Sequence, residues 1–332
     1  MKQLLQTLTE IFAPSGYEQA VREVIMNEIR PLVDELRVDA LGNLIARKGT
    51  RAENGKRVMV AAHMDEIGLV ATHIDQHGFV RFTTVGAASP RFLLGGRVRF
   101  ANGARGVIGA ERAGKANELS PVEKLFIDVG AASPQDCPVK VGDAAAFDYP
   151  FHEMGRRLAA KALDNRAGAA VAVETLRRLG RGPNEVYVVF TVQEEVGARG
   201  ASVSAYGIDP EIGLSLDTTP AGDTPNVIRR EIALGKGPAI KIKDAHMLAD
   251  PRVVDWMTRA AEGADIPTQR EVLTTGTSDA RAIQLSRAGV PSGGLCLPCR
   301  YVHSPSEMVD LDDLEHAVQL LVALLENPII IE

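Results

Sequence analysis

The regular alternation of predicted strands and helices is the feature that most constrains this fold. Apolar strands are predicted in VMVAA, VYVVFTV, EIGLSLD, AIKIKD and SGGLCLP. Helical periodicity is found in NRAGAAVAVETLRRLG, PRVVDWMTRAAEG, DARAIQLSRAG and DDLEHAVQLLVALL. Strands that alternate with helices imply a mostly parallel sheet with helices on both faces. We therefore predict an α/β fold with a mostly parallel sheet flanked by helices.

The alternation is interrupted between residues 67 and 157. This stretch is rich in Gly, Val, Phe and Thr, and its short alternating apolar runs include GLVATHI, GFVRFTTV and KLFIDV. Short strands joined by glycine turns are typical of an all-β module. We predict one α/β domain made from residues 1–66 and 158–332, with a small all-β domain at 67–157 inserted into it.

Composition excludes several classes of partner. The net charge is −6, whereas a protein that binds nucleic acid needs a basic surface. No run approaches the ~18 apolar residues of a membrane span. The N-terminus lacks the uninterrupted apolar core of a signal peptide. Three cysteines do not make a disulfide framework. We expect no nucleic-acid or membrane partner, and a cytoplasmic location.

Histidines and acids stand where several predicted strands end or a helix begins. In open α/β sheets, ligands bind beyond the carboxyl ends of the strands, so these side chains should lie at one edge of the sheet. Imidazole and carboxylate groups are also the ligands that suit zinc or cobalt. The residues are His63, Asp65, Asp164, Glu194, Glu195, Asp217 and His303.

Each of these residues also has an ordinary structural explanation. A single aspartate after a strand is usually a turn residue or a helix cap. A lone histidine is more often a structural side chain than a ligand. Such explanations would have to hold independently at five separate strand or helix ends. In addition, His63 and Asp65 share one face of an extended segment, so Asp65 could orient the imidazole toward a metal.

Five motifs in this order resemble the M42 family of metallo-aminopeptidases, the group of the tetrahedral (TET), glutamyl and deblocking aminopeptidases. The resemblance covers essentially the whole chain, including the position of the β insert. The M28 and M20 peptidases place the aspartate that corresponds to Asp164 much closer to the first motif. The M18 aminopeptidases, whose chains are longer, are the second candidate. The motifs are His63-Met64-Asp65, Leu163-Asp164-Asn165-Arg166, Glu194-Glu195-Val196-Gly197, Asp217 and His303-Ser304.

The resemblance implies an aminopeptidase with two divalent metal ions, zinc or cobalt, in each subunit. It implies that Asp164 bridges both ions. His63 and Asp217 would complete one site, and Glu195 and His303 the other. Metal ions about 3.5–4 Å apart can share one hydroxide, lower its pKa and stabilise the oxyanion of peptide hydrolysis.

Two further acids receive roles from the resemblance. Asp65 would orient His63, and Glu194 would be the general base. Adjacent side chains on an extended segment point to opposite faces, so Glu194 and Glu195 need not do the same work. Only the order found in related enzymes makes Glu194 the base. The resemblance also implies a cis peptide bond after Asp164.

Three residues are candidates for substrate binding. Thr277 and Asp279 belong to a segment, TTGTSD, that resembles one lining the cleft in the family. The same segment precedes a predicted helix, so Ser278 or Asp279 could instead be a helix N-cap. Arg199 follows the Glu194-Glu195 motif and could shape the same cleft. Cys296 and Cys299 are expected to be buried thiols, because no second CxxC motif accompanies them.

The remaining expectations concern partners and alternatives. The resemblance implies a peptide substrate, and an insert that associates subunits into dimers and then into a hollow dodecamer. A glycoside hydrolase of the endoglucanase kind would use two carboxylates without metals, which leaves two histidines without a role. An inactive metal-binding scaffold would fit better if a ligand were missing from the sequence.

Overall fold

A computed structural model of the chain describes residues 1–111, 120–226 and 231–331. Asp250 and Asp310 cap α6 and α8, since each side chain accepts a hydrogen bond from the backbone N–H two residues later. Within the described ranges, no helix is long and apolar enough to cross a membrane. The helices there are α1 (Lys2–Glu10), α2 (Gln19–Ile29), α3 (Pro90–Leu93), α4 (Leu163–Arg178), α5 (Arg199–Ile208), α6 (Pro251–Gly263), α7 (Asp279–Gln284) and α8 (Leu311–Glu326).

An 11-stranded mixed sheet forms the centre of the molecule. Its order is β1-β2-β12-β3-β13-β16-β17-β11-β10, and β14 pairs with both β16 and β15. The strands are β1 (Glu35–Val38), β2 (Leu44–Lys48), β3 (Arg57–His63), β10 (His152–Met154), β11 (Arg157–Ala160), β12 (Glu185–Thr191), β13 (Ile212–Pro220), β14 (Ala239–Lys243), β15 (Gln269–Val272), β16 (Ser292–Arg300) and β17 (Glu307–Asp310).

The prediction of a mostly parallel sheet is wrong at the two sides of the sheet. The neighbours β12, β3, β13 and β16 are parallel, as the alternation with helices predicts. On one side β2 and β1 are antiparallel, and on the other side β17, β11 and β10 are antiparallel. Three of these pairs, β1 with β2, β10 with β11 and β16 with β17, are hairpins, which pair antiparallel because a short turn joins their strands. The pairs of β2 with β12 and of β11 with β17 join strands that are distant in the chain, so the alternation with helices does not determine their direction.

Helices cover both faces of the sheet. Along β3, Val58, Val60 and Ala62 pack in the large core that includes residues of α1, α2, α4, α6 and α8. Met59 and Ala61 point the other way, into a smaller core that includes residues of α5 and α7. This period of two is what a strand buried on both faces requires.

A closed six-stranded barrel lies between β3 and β11 in the chain. Its order is β4-β5-β8-β7-β6-β9, and every pair is antiparallel. Its core is separate from those of the large sheet. The strand β10 lies within the predicted insert range but pairs with β11 in the large sheet. The barrel strands are β4 (Gly68–Ile74), β5 (Val80–Val85), β6 (Arg97–Phe100), β7 (Arg105–Ala110), β8 (Leu125–Asp128) and β9 (Ala144–Phe147).

Candidate active site

The carboxyl ends of the parallel strands bring the predicted site residues together. His63 is the last residue of β3 and pairs with Thr191, the last residue of β12. Asp217 lies on β13, and Asp164 lies in the first turn of α4. Because these strands are parallel, their polar ends meet at one edge of the sheet. All seven predicted histidines and acids lie at this edge, within contact distance of one another or in the wall of the same cleft.

Two groups of three ligand atoms share Asp164. We call His63, Asp164 and Asp217 the inner trio, and Asp164, Glu195 and His303 the outer trio; in each, the ligand atoms lie within 4.8 Å of one another. In the inner trio, the imidazole Nε2 of His63 is 3.3 Å from Asp164 Oδ1 and 3.6 Å from Asp217 Oδ1.

The outer trio has the same chemistry but is more open. The imidazole Nε2 of His303 is 3.4 Å from Asp164 Oδ2 and 3.3 Å from Glu195 Oε1. The side chain of His303 is 25% exposed, whereas that of His63 is 3% exposed. Members of both trios line the cleft, and the histidine of the outer trio is the more exposed of the two.

Two buried oxygens in the trios fit a cation. Asp164 Oδ1 and Glu195 Oε1 are shielded from solvent, and neither accepts a hydrogen bond. The nearest cationic group to each is an imidazole nitrogen at 3.3 Å, and a metal ion is a partner that buried carboxylates commonly have. With imidazole nitrogens beside them, these oxygens form the donor set that zinc and cobalt prefer. The residues therefore fit divalent metal ions.

Carboxylates determine the protonation of the two histidines. Burial alone would lower the pKa of His63, but Asp164, Asp217 and Asp65 outweigh it and hold that pKa well above its ordinary value. Burial likewise opposes the charge on His303, but Asp164 and Glu195 raise its pKa to about 12. Without metal, both rings therefore carry protons that a metal ion must displace.

The pKa values of the acids in the site are shifted in opposite directions. Burial raises the pKa values of Asp217 and Glu195, and burial raises the pKa of Glu194 well above its ordinary value. Asp164 is buried too, but the two histidines outweigh the effect and lower its pKa. A carboxyl group with a raised pKa accepts a proton more readily, which is a property of general bases.

Asp65 contacts three parts of the site. Its Oδ1 lies 3.4 Å from His63 Nδ1 and accepts a 3.0 Å hydrogen bond from the backbone N–H of Glu194. Its Oδ2 accepts a 3.2 Å bond from the N–H of Glu195 and a 2.6 Å bond from the hydroxyl of Ser15. Asp65 thus lies where the prediction requires, beside the second imidazole nitrogen of His63.

The backbone at Asp164 is fixed by neighbours that the sequence did not indicate. The peptide bond between Asp164 and Asn165 is cis, as the family resemblance implies. The N–H of Asp164 donates a 2.8 Å hydrogen bond to Glu307, and the side chain of Asn165 donates a 2.8 Å bond to the carbonyl of Leu216. Glu307 lies four positions after His303 in a polar stretch without periodicity, so no sequence signal distinguishes it.

A buried ion pair joins two segments that carry ligands. Lys161 Nζ lies 2.7 Å from Glu66 Oε2, and both side chains are 2% exposed. Glu66 follows Asp65 directly, and Lys161 precedes Asp164 by three positions. Arg166 lies 3.6 Å from the same glutamate. No local pattern in the sequence marks this pair, since its two members are distant in the chain.

The three substrate-binding candidates have different positions. Thr277 lines a cleft of about 380 Å³ above the trios, and its buried hydroxyl has no hydrogen-bond partner. Asp279 is buried and accepts a hydrogen bond from Thr191, and burial raises its pKa to about 7. Arg199 is exposed, lies outside the residues that line the cleft, and donates a hydrogen bond to Gln193. Of the three, the structure thus places only Thr277 in the cleft wall.

Among the residues that the structure describes, the cleft wall contains one further charged residue, which no pattern in the sequence marks. Lys241 lines the cleft and is buried, with its Nζ 3.1 Å from Glu271 and 3.5 Å from Asp244.

The two thiols of the CxxC motif, Cys296 and Cys299, are free and buried, as predicted.

Comparison with known proteins identifies the family. The model of the M42 glutamyl aminopeptidase family matches residues 42–320. This chain belongs to the M42 family. A predicted aminopeptidase of Acetivibrio thermocellus is 44% identical over 324 residues, which are 97% of each chain.

The solved structures that are similar to this chain include aminopeptidases, in agreement with its family. An aminopeptidase of the archaeon Desulfurococcus kamchatkensis has a TM-score of 0.94 at 40% identity, over 98% of this chain and 94% of that one. The TET1 peptidase of Pyrococcus horikoshii, which can assemble into a tetrahedron or a large octahedral shell, has a TM-score of 0.86 at 33% identity over 98% of both chains. This M42 protein is an aminopeptidase, which removes N-terminal residues from peptides.

Proposed function

We propose that this aminopeptidase works with two divalent metal ions, one in each trio, and with Glu194 as general base. The observation that carries the proposal is the pair of trios that share Asp164. One bridging carboxylate with an imidazole and a second carboxylate on each side is a ligand arrangement for two neighbouring ions. Zinc and cobalt suit these ligands equally.

The chemistry divides between the ions and the residues of the chain. Metal ions held by the two trios would supply a lower pKa for the attacking water and a polarised peptide carbonyl. Glu194 takes the proton of that water and delivers it to the leaving amine. General acid–base help of this kind contributes ~10²–10⁴-fold to the rate. Asp65 holds the imidazole of His63 in the orientation that its ligand role needs.

The positions of the two adjacent glutamates support this division of work. Glu195 belongs to the outer trio, with Oε1 3.3 Å from His303. Glu194 belongs to neither trio, yet it lines the cleft. Burial and the nearby acids Asp217 and Asp279 keep its pKa high. A free carboxylate in the cleft, beside the ligands, is what a general base requires.

The substrate in this proposal is the N-terminal end of a peptide. The cleft of about 380 Å³ admits the end of a chain, and a folded protein is too large for it. Thr277 is the candidate for a substrate contact, because it lines the cleft and its buried hydroxyl has no hydrogen-bond partner. The predicted contacts of Arg199 and Asp279 with substrate have less support, since neither residue lines the cleft.

The subunits are proposed to associate through the barrel, residues 67–157 in the predicted division of the chain, into dimers and then a dodecamer. The assembly of the related Pyrococcus horikoshii peptidase into closed shells supports a homo-oligomer. Light scattering on the purified protein tests it, and a monomer in solution would contradict the assembly. The cytoplasmic location stays a prediction.

Metal removal tests the proposed mechanism. After exhaustive dialysis against EDTA, hydrolysis of aminoacyl-p-nitroanilides should stop, and Zn²⁺ or Co²⁺ should restore it with two ions bound per chain. Carboxymethylcellulose serves as the control substrate for the glycoside hydrolase alternative. Activity that survives complete metal removal would contradict the two-metal mechanism, and hydrolysis of the cellulose derivative would favour the alternative.

A further inference from the structure

Glu307 is a buried carboxylate whose two oxygens both accept backbone hydrogen bonds from the site. Its side chain lies on β17, and the residue is 2% exposed. Oε1 accepts a 2.6 Å bond from the N–H of His303, and Oε2 accepts a 2.8 Å bond from the N–H of Asp164. One carboxylate therefore connects the backbones of two members of the outer trio, which are distant in the chain.

Both segments contain a non-glycine residue with a left-handed backbone conformation. His303 lies in a loop and has φ +64°, a left-handed conformation that a non-glycine residue adopts only when its surroundings hold it there. Asp164 begins α4 after a residue, Ala162, that is also left-handed at φ 56°. Because one side chain accepts the backbone N–H groups of both His303 and Asp164, Glu307 can hold both conformations.

Asp65 provides the precedent within the same site. It accepts hydrogen bonds from the backbone N–H groups of Glu194 and Glu195 and contacts the ring of His63. The two acids are thus matched: each accepts two backbone N–H groups from segments that carry site residues. Asp65 was predicted from its spacing to His63, whereas Glu307 follows only from the structure.

We propose that Glu307 is a positioning residue, which sets the separation between the carboxylate of Asp164 and the imidazole of His303 so that the outer trio can bind a metal ion. This inference rests on the proposed two-metal function. Glu307 itself is not a ligand in either trio and acts only through the two backbone segments.

Glu307→Gln tests this role with almost no change in side-chain volume. Glutamine offers one acceptor oxygen and one NH₂ group, so one of the two backbone N–H groups would face a donor. The loop of His303 or the start of α4 should then relax. Loss of an outer hydrogen-bond partner of this kind typically lowers metal affinity about 10–100-fold.

The measurement is a calorimetric titration of metal-free protein with Zn²⁺. For the wild type, two binding steps are expected. For Glu307→Gln, one of the two steps, that of the outer trio, should shift by about 10–100-fold, and the other step should shift less. With excess Zn²⁺, kcat should return toward the wild-type value, because the ligands themselves are unchanged.

Asp313→Asn is the matched control. Asp313 is also buried and accepts two backbone bonds of 2.7 Å, from Gly235 and Gly237, away from the trios. This variant should lose stability without a change in either Zn²⁺ affinity. If both variants weaken the same Zn²⁺-binding step equally, Glu307 has only a general structural role and the inference is wrong.

Hydrogen exchange on metal-free wild-type protein gives a test that needs no variant. The N–H groups of Asp164 and His303 should exchange slowly, because Glu307 accepts both of them; fast exchange at both would overturn the inference. The two claims fail separately. A wild type that binds fewer than two ions contradicts the proposed function, whereas two ions with an unchanged Glu307→Gln titration contradict the positioning role alone.

Discussion

The inner and outer trios use the same ligand types on different supports. In the inner trio, His63 and Asp217 lie on neighbouring strands in the centre of the sheet, where pairing with other strands fixes their backbones. In the outer trio, Glu195 and His303 lie in loops that follow strands. Strands give ligands a rigid support, whereas loops need side chains that hold them.

The difference shows how the chain builds two sites from one edge of a sheet. The loop with Glu195 is held by the carboxylate of Asp65, and the loop with His303 by that of Glu307. The outer trio, whose histidine is 25% exposed, is thus the trio whose loops are held by other side chains. Under the proposed function, a substrate would reach the more accessible of the two sites more readily.

The largest effect on activity is expected from Asp164→Asn, because this substitution changes both trios at once. Asp164 belongs to both, so its loss of charge should weaken both metal sites together. Activity should fall by at least about a thousand-fold, since each ion is worth several kcal/mol to the transition state. Metal content after gel filtration checks the prediction, and one ion held at wild-type strength would show that the trios are independent.

A smaller effect is expected from Glu194→Gln, which should leave both trios intact. Bound metal should stay at the wild-type level while kcat falls by ~10²–10⁴-fold, because the proton acceptor is lost. Glu195→Gln is the comparison, since it should lower metal content in the outer trio. If the two variants behave in the opposite way, the roles of the adjacent glutamates are exchanged.

The smallest effect is a pH dependence of metal binding to the outer trio. Because the pKa of His303 is about 12 in the metal-free protein, its proton must leave before a metal binds. Apparent Zn²⁺ affinity should therefore rise by up to about tenfold per pH unit for each displaced proton between pH 6 and 8. Affinity that is constant over this range would show that the ring is already neutral.

The raised pKa of His303 also makes the folding stability of the metal-free protein depend on pH. The folded metal-free protein holds the proton of His303 more tightly than the unfolded chain, whose ordinary value is 6.5. The stabilisation is complete below pH 6.5 and is lost as the pH rises toward 12. Thermal unfolding of metal-free wild type and His303→Ala at pH 6 and pH 9 measures this, and the difference between the two proteins should be smaller at pH 9.

The sequence predicts the features that depend on local pattern. Apolar runs identified the parallel strands, and the polar residues that end them identified His63 and Asp217. The barrel strands also follow from alternation and glycine turns. The resemblance to a known family supplied the grouping of ligands into two sets, which spacing alone leaves open.

Features that depend on tertiary contacts were missed. Glu307 and the pair formed by Glu66 and Lys161 are defined by partners far away in the chain, so no periodicity marks them. The antiparallel sides of the sheet depend on which strands become neighbours after folding. Arg199 follows the glutamate motif closely, but its side chain lies outside the cleft because it is directed toward Gln193.

The contact between Glu66 and Lys161 holds together the two ends of the chain segment that forms the barrel. These side chains meet at 2.7 Å at the two ends of the segment that contains the barrel, so this segment is a loop closed by the large domain. The entropic cost of closing a loop rises only with the logarithm of its length, by about 0.6 kcal/mol for each doubling. The barrel can therefore gain or lose residues in its turns with little effect on the folding free energy of the large domain.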